Sequence, residues 1–301
     1  MKTVIIGLGS QGQKHLKVAR EDVIASVDPI NEEALYSDIR GIPLDLYDAA
    51  IVVTPNQEKL AIIMYLLENQ KHIMVEKPLI GKAEELEILK EEQQKRNITL
   101  YTAYNYRFEP HIVKLKELID DGTLGEIYTC RIFLGNGTAI NVLESLWRDK
   151  GRGVLEEISS HQLDLIHYLF DNESFTWIDF SGCVLASNFE NKAYDHIILH
   201  SPDEKLITIE STYCYWKNTF TIDITGKLGS AHLDGLLKWS FSELTIRERI
   251  FPSGVPKEEV FVSTEQDPTL ELQYEYFKEL CKTGGTNIDT DIWINNIFNE
   301  V

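Results

Sequence analysis

The stretch Thr3-Val4-Ile5-Ile6-Gly7-Leu8-Gly9-Ser10-Gln11-Gly12 decides how the first third of the chain reads. Three apolar residues, Val4, Ile5 and Ile6, run straight into a G-x-G-x-x-G pattern, which in turn opens a helical pattern at Ser10. Such a glycine triplet is weak on its own. Placed between a strand and a helix, it gives a tight turn and lets a pyrophosphate approach the helix N–H groups. An acid should end the next strand about twenty residues further on, and Asp28 stands 21 residues after Gly7. Its carboxylate is expected to accept hydrogen bonds from an adenosine ribose and to repel a 2′-phosphate, which favours NAD over NADP. Gly7, Gly9, Ser10, Gln11, Gly12 and Asp28 are therefore candidate cofactor contacts.

Working outward, short apolar runs at residues 2–6, 23–27, 49–53, 72–75 and 98–101 alternate with helical patterns at 10–20, 60–67 and 83–95. Alternation of this kind predicts βαβ units and a doubly wound parallel sheet, a Rossmann arrangement. The crossover at 29–48 is short and broken by Gly41 and Pro43, so a stunted helix is expected at 32–37. After residue 110 the pattern changes. Ile112, Leu115, Leu118 and Ile119 form a helical stripe, and period-two strands follow. In the clearest of these, at 219–225, Phe220, Ile222 and Ile224 alternate with polar residues, as in a half-solvated sheet. Other strands are expected at 126–134, 194–200, 206–212 and 258–262, with helices at 155–170, 270–281 and 289–299. The predicted fold is α/β, with a nucleotide-binding domain at 1–115 followed by an α+β domain with a mainly antiparallel sheet at 116–301.

Two further motifs fall where an open α/β sheet places its ligand crevice, at the carboxyl ends of strands. Thr54-Pro55-Asn56 follows the third strand. It reads equally as a cofactor contact and as a helix start, with Pro55 at the first helical position and Thr54 as its cap. Glu76-Lys77-Pro78 follows the fourth, and the proline stiffens the backbone beside a lysine suited to holding a substrate hydroxyl.

Read in order, G-x-G-x-x-G, T-P-N, E-K-P, Tyr104-Asn105-Tyr106-Arg107-Phe108, Trp147-Arg148 and the segment Gly151 to Asp164 resemble the Gfo/Idh/MocA oxidoreductases, the family of glucose–fructose oxidoreductase and inositol 2-dehydrogenase. Gly226-Lys227-Leu228-Gly229-Ser230 is similar to that family's G-T-x-G-S turn. The resemblance implies hydride transfer between nicotinamide and a sugar or polyol carbon, usually in a homodimer or homotetramer. It implies Lys77 as the substrate-positioning lysine, His161 as the proton acceptor, Glu157 in place of the usual aspartate and Asp164 as the acid three residues beyond the histidine. Arg152 and Ser159 stand where the family has glycines.

The residues support this reading independently. Spacings of four and three put Glu157, His161 and Asp164 on one face of the 155–170 helix, with Leu155, Ile158, Leu165, Ile166 and Leu169 on the core face. A histidine flanked by acids suits proton abstraction from a hydroxyl. Arg107, Arg148 and Arg152 are candidate substrate contacts, together with Asp164. With Lys150 the arginines gather four cations in an acidic protein. Arg152, in place of a glycine, points to a substrate with a carboxylate or diphosphate, such as a uronic acid or nucleotide-activated sugar, unless these cations only pair with neighbouring acids such as Asp149, Glu156 and Glu157. Trp147, Trp216 and Trp239 read as packing residues. Two other readings remain open, a non-catalytic NAD-binding regulator and a redox-cycling glycoside-cleaving enzyme with tightly held NAD.

Composition bounds the rest. At 301 residues two domains are expected, and 43% hydrophobic with 26% charged residues is ordinary for a globular protein. A net charge of −19 repels nucleic acid and anionic membranes. The longest apolar run, 60–67, is too short to span a bilayer, and Met1-Lys2 leads into no signal-peptide core. Cys130, Cys183, Cys214 and Cys281 lie 31 to 67 residues apart, which fits reduced thiols in a cytoplasmic protein without a metal site.

Overall fold

The computed structural model describes every residue except 146–147, 171–179, 181–183 and 202–205, so Trp147 and Cys183 lie outside the described residues. The chain divides into two compact units, Met1–Asn105 with Pro268–Asn296, and Tyr106–Asp267 with Ile297–Val301.

The first unit is built on five parallel strands: β1 (Thr3–Ile6), β2 (Val23–Val27), β3 (Ala49–Val52), β4 (His72–Glu76) and β5 (Leu100–Ala103), in the order β2-β1-β3-β4-β5. Helices α1 (Ser10–Ala19), α2 (Asn56–Glu68) and α3 (Ala83–Arg96) form the crossovers. Both faces of the sheet are covered, which is why β1 and β3 read as unbroken apolar runs. Along β3 the side chains sort by period two. Ala50 and Val52 join a core with Ile63, Leu66 and Leu67 of α2, while Ala49 and Ile51 join the opposite one with Met74 and Tyr101. The helix expected at 32–37 does not form. Asn31 Oδ1 accepts the Glu33 N–H at 3.0 Å, and Tyr36 takes an extended bridge beside Val27. Side-chain capture of backbone donors here competes with the helix, and only short 3₁₀ turns at Ile39–Gly41 and Leu44–Leu46 remain.

In the second unit, α4 (Pro110–Asp120), β6 (Ile127–Gly135) and α5 (Ala139–Leu143) precede a π-helical turn at Leu155–Ser159 that runs into α6 (Ser160–Phe170). Then come β7 (Val184–Ser187), β8 (His196–His200), β9 (Leu206–Thr212), β10 (Thr219–Gly226), β11 (Gly229–Leu236), β12 (Phe241–Glu248) and β13 (Glu258–Ser263). They form one eight-stranded sheet in the order β13-β12-β11-β10-β6-β9-β8-β7, in which only the β6–β9 pair is parallel. On β10 the expected alternation is present: Phe220, Ile222 and Ile224 are buried, and the residues between them are not. Elements α5, β7, β11 and β12 were not anticipated from the sequence. Trp216 is 76% exposed and does not belong to a core.

The last helices, α7 (Thr269–Leu280) and α8 (Ile288–Asn299), return to the first unit up to Asn296. Tyr274 and Phe277 of α7 complete the core that contains Ile5 and Met74, and Ile288 of α8 joins the other. The units thus divide the chain differently from the expected 1–115 and 116–301. Among the described residues no helix is long and apolar enough to cross a membrane, and no group of three or more His, Cys, Asp or Glu could hold a metal ion.

Candidate functional site

In the first unit the parallel strands bring the expected cofactor residues to one edge of the sheet. Gly7 follows β1 with φ of +100° and donates its N–H to Val27 O at 2.8 Å. A Cβ at Gly7 would sit 2.5 Å from Val53 O, and one at Gly12 would sit 2.0 Å from Gly7 O. Those two glycines therefore serve the turn itself. Gly9 is different, because a Cβ there would meet nothing within 4 Å. Its exposed backbone, at the start of α1, faces room for a ligand. The first turn of α1, which includes Ser10, Gln11 and Gly12, carries no acidic residue and no side-chain cap, so its positive end suits an anion. Gly12→Ala is expected to cost about 1–3 kcal/mol, the usual penalty for overpacking, because the clash is with backbone. Thermal unfolding of the variant checks this, and an unchanged Tm would contradict it.

Asp28 ends β2 as expected, but its carboxylate is mostly engaged. Oδ2 accepts the Leu8 N–H at 2.8 Å, and Oδ1 accepts those of Ile30 and Asn31, both at 2.9 Å. Partial burial raises its pKa, but these backbone hydrogen bonds outweigh that and hold the group below the ordinary carboxylate value. Of about four acceptor positions on a carboxylate, one is left for a ribose hydroxyl, while the negative charge is kept. Thr54 does not cap α2: Pro55 holds the N-cap position, Asn56 is the first helical residue, and no side chain caps the helix. The Thr54 hydroxyl is instead buried without a hydrogen-bond partner. An orphaned buried hydroxyl is costly, and a bound group beside it would relieve that cost. Gly9, Asp28 and Thr54 together fit a dinucleotide.

Glu76 closes β4 and receives His15 of α1, with Nε2 to Oε1 at 2.8 Å. Burial alone would raise the Glu76 pKa, but the His15 contact reverses the shift downward. Lys77 is half-buried, and its peptide bond to Pro78 is cis. Neither His15 nor Lys59, treated below, was singled out from the sequence. Lys59 could have been, since it shares a helical face with Ile63, Leu66 and Leu67, and a charge on a buried stripe is anomalous.

In the second unit the residues expected on one helical face are more buried than expected. His161 is 8% exposed and Asp164 fully buried. The His161 ring stacks on Tyr106, with centroids 4.0 Å apart and planes 4° from parallel. Glu157 lies in the π-helical turn, which alters its spacing to His161 from that of a regular helix. Its carboxylate is taken up by the Arg148 guanidinium, at 2.6–3.2 Å, and by the Tyr213 hydroxyl at 2.8 Å. Arg107 clamps Asp164 in the same two-pronged way at 2.5–3.0 Å. Burial pushes Asp164 up to about 6 against the downward pull of Arg107. Arg152 stands apart, with Nη2 3.1 Å from Asn299 Oδ1. Two of the three arginines assigned to an anionic substrate are thus already matched to carboxylates. Ser159, standing where a glycine was expected, bonds Ser211 at 2.8 Å. Gln162 reaches Ile132 O and Glu210 O, tying α6 to β6 and β9.

Two family models match this chain. One, described as an oxidoreductase family with an NAD-binding Rossmann fold, covers residues 1–104, and the other, a GFO/IDH/MocA C-terminal domain, covers residues 112–232. The chain belongs to the Gfo/Idh/MocA family. Similar proteins include glucose-6-phosphate 3-dehydrogenase of Bacillus subtilis, 25% identical over 193 residues (58% of this chain and 55% of that protein). Myo-inositol 2-dehydrogenase of Thermotoga maritima is 26% identical over 211 residues, or 65% of this chain and 62% of the relative. The chain matches less than two thirds of the length of either. Among solved structures, levoglucosan dehydrogenase in complex with NADH superposes with a TM-score of 0.82 at 19% identity, covering 100% of this chain and 95% of that one. The Gfo/Idh/MocA assignment bears out the resemblance read from the motifs and the two-domain fold class.

Proposed function

We propose that the protein is an NAD-dependent dehydrogenase that moves a hydride between nicotinamide and a hydroxyl-bearing carbon of a sugar or polyol. The observation that carries this reading is the glycine loop, where Gly9 alone leaves open space at an uncapped helix start. The names of the similar dehydrogenases support the substrate class. Nicotinamide, when bound, supplies the hydride acceptor or donor. Gly7, Gly9, Ser10, Gln11 and Gly12 would hold the pyrophosphate, Thr54, Pro55 and Asn56 the sugar beyond it, and Glu76 with Lys77 the nicotinamide end. On the substrate side, Lys77 orients the reacting oxygen and His161 takes the hydroxyl proton. Glu157 contributes by fixing Arg148 and Tyr213. Pairing of Arg107 with Asp164 and of Arg148 with Glu157 leaves Arg152 as the remaining support for an acidic or nucleotide-activated sugar.

Asp28 keeps its charge and supports NAD over NADP. NAD(H) is expected to bind at least tenfold tighter than NADP(H), about 1.4 kcal/mol, and equal affinities by calorimetry would refute the role given to Asp28. Reaction class is tested by following absorbance at 340 nm with NAD⁺ and a panel of glucose 6-phosphate, myo-inositol, levoglucosan, a uronic acid and a UDP-sugar. Tight NADH binding without turnover of any hydroxyl compound would favour a sensor over an enzyme.

A further inference from the structure

Lys59 is an unusual residue for the place it occupies. It lies on the inward face of α2, 2% exposed, among the apolar side chains of the first unit. Its Nζ donates to Glu76 O and, at 2.7 Å, to Pro78 O. These carbonyls stand immediately before and immediately after Lys77-Pro78, so one buried amine grips the chain on both sides of Lys77. The same turn is held further along by Asn295 of α8, whose Nδ2 donates to Leu79 O at 2.8 Å and whose Oδ1 accepts from Gly81 N at 3.1 Å. Charged groups facing Lys59 are Glu76, Lys77 and Asp291, and Asp291 is already occupied by the hydroxyls of Thr102 and Tyr104. Burial brings the Lys59 amine down to about 7, with Glu76 and Asp291 pulling it upward and Lys77 further downward.

Methionine or leucine would fill this position without desolvating a charge. A buried lysine is therefore an expensive way to pack α2, and what it supplies beyond packing is a pair of hydrogen bonds around Lys77. We propose that Lys59 is a positioning residue that fixes the backbone carrying Lys77. This rests on the reading of Lys77 as the group that orients the substrate oxygen, and the test separates the two.

Lys59→Met keeps the bulk and removes the donors, while Lys59→Gln keeps one N–H donor should the methionine variant fold poorly. Hydrogen exchange is measured on peptides covering residues 76–81 and on those covering β1 and β3. The expected result in Lys59→Met is at least about tenfold faster exchange at 76–81, with β1 and β3 unchanged. With the best substrate of the panel, kcat at saturating NAD⁺ should fall about thirtyfold in Lys59→Met and less in Lys59→Gln, while the Kd for NADH rises by much less than kcat falls. The deciding measurement is the double variant. In a Lys77→Met background, Lys59→Met should cost no further activity beyond about twofold, because coupled residues are not additive. Losses that multiply, or unchanged exchange at 76–81, would overturn the proposal. Full activity in Lys77→Met alone would refute the role of Lys77 and leave the exchange result to decide whether Lys59 holds the turn.

Discussion

His161→Ala and Lys77→Ala are each expected to lower kcat by at least about a hundredfold at saturating NAD⁺, the usual effect of removing acid–base help, while NADH binding stays near the native value in His161→Ala. The residues proposed to hold the cofactor, among them Gly9, Asp28 and Thr54, lie in the first unit, and His161 does not. For His161 the expectation has a geometric basis: the ring is 8% exposed and stacked in parallel on Tyr106, so its plane is fixed before substrate arrives. Proton transfer depends on such fixed geometry. Tyr106→Leu should therefore lower kcat less than His161→Ala, with little change in Kd for NADH. Steady-state kinetics and fluorescence titration check both claims. Near-native turnover in either alanine variant would remove that residue from the mechanism.

The first unit was legible because its signals are local. A strand, a glycine turn, a helix and an acid follow one another within the first 28 residues, and each strand buried on both faces reads as an apolar run. The failed helix at 32–37 shows where local reading stops, since the backbone there is drawn away by Asn31 and by pairing of Tyr36 with β2. In the second unit, helical spacing located His161 and the core face of its helix, where Leu155, Leu165, Ile166 and Leu169 are fully buried. It did not reveal the π-helical turn. That turn follows Gly153, whose φ is +52° and where a Cβ would lie 2.2 Å from Tyr194 O, a contact across forty-one residues of chain. The arginines show the same limit. Pairing with Glu157 was legible as an alternative, and Arg148 takes it, but the partner of Arg107 was not: Asp164 is 57 residues away, and nothing in the local pattern couples them. Lys59 could have been flagged as an anomaly on an apolar stripe, but its meaning depends on carbonyls 17 and 19 residues away.

Arg107→Met is expected to destabilise the protein by about 3–5 kcal/mol at pH 8, because it strands the fully buried carboxylate of Asp164. The pH dependence has a definite sign. Asp164 has a folded pKa raised to about 6 from 3.8, so between those values the folded state holds more protons than the unfolded one. The stability this contributes is present at low pH and is lost as pH rises through 6. Without Arg107 the carboxyl moves higher still, so the deficit of Arg107→Met should be largest at pH 8 and should shrink towards pH 5. Urea unfolding at both pH values measures it. Arg107→Met combined with Asp164→Leu should recover most of the loss, since a well-packed apolar pair replaces a buried ion pair at little cost. The double variant also decides what Arg107 is for. If the arginine serves to neutralise Asp164 and anchor the start of α4 to α6, the KM for the best substrate will stay within about threefold of native once stability is restored. A KM raised tenfold or more (about 1.4 kcal/mol) in a stable double variant would instead return Arg107 to the substrate, and with it the case for an anionic sugar.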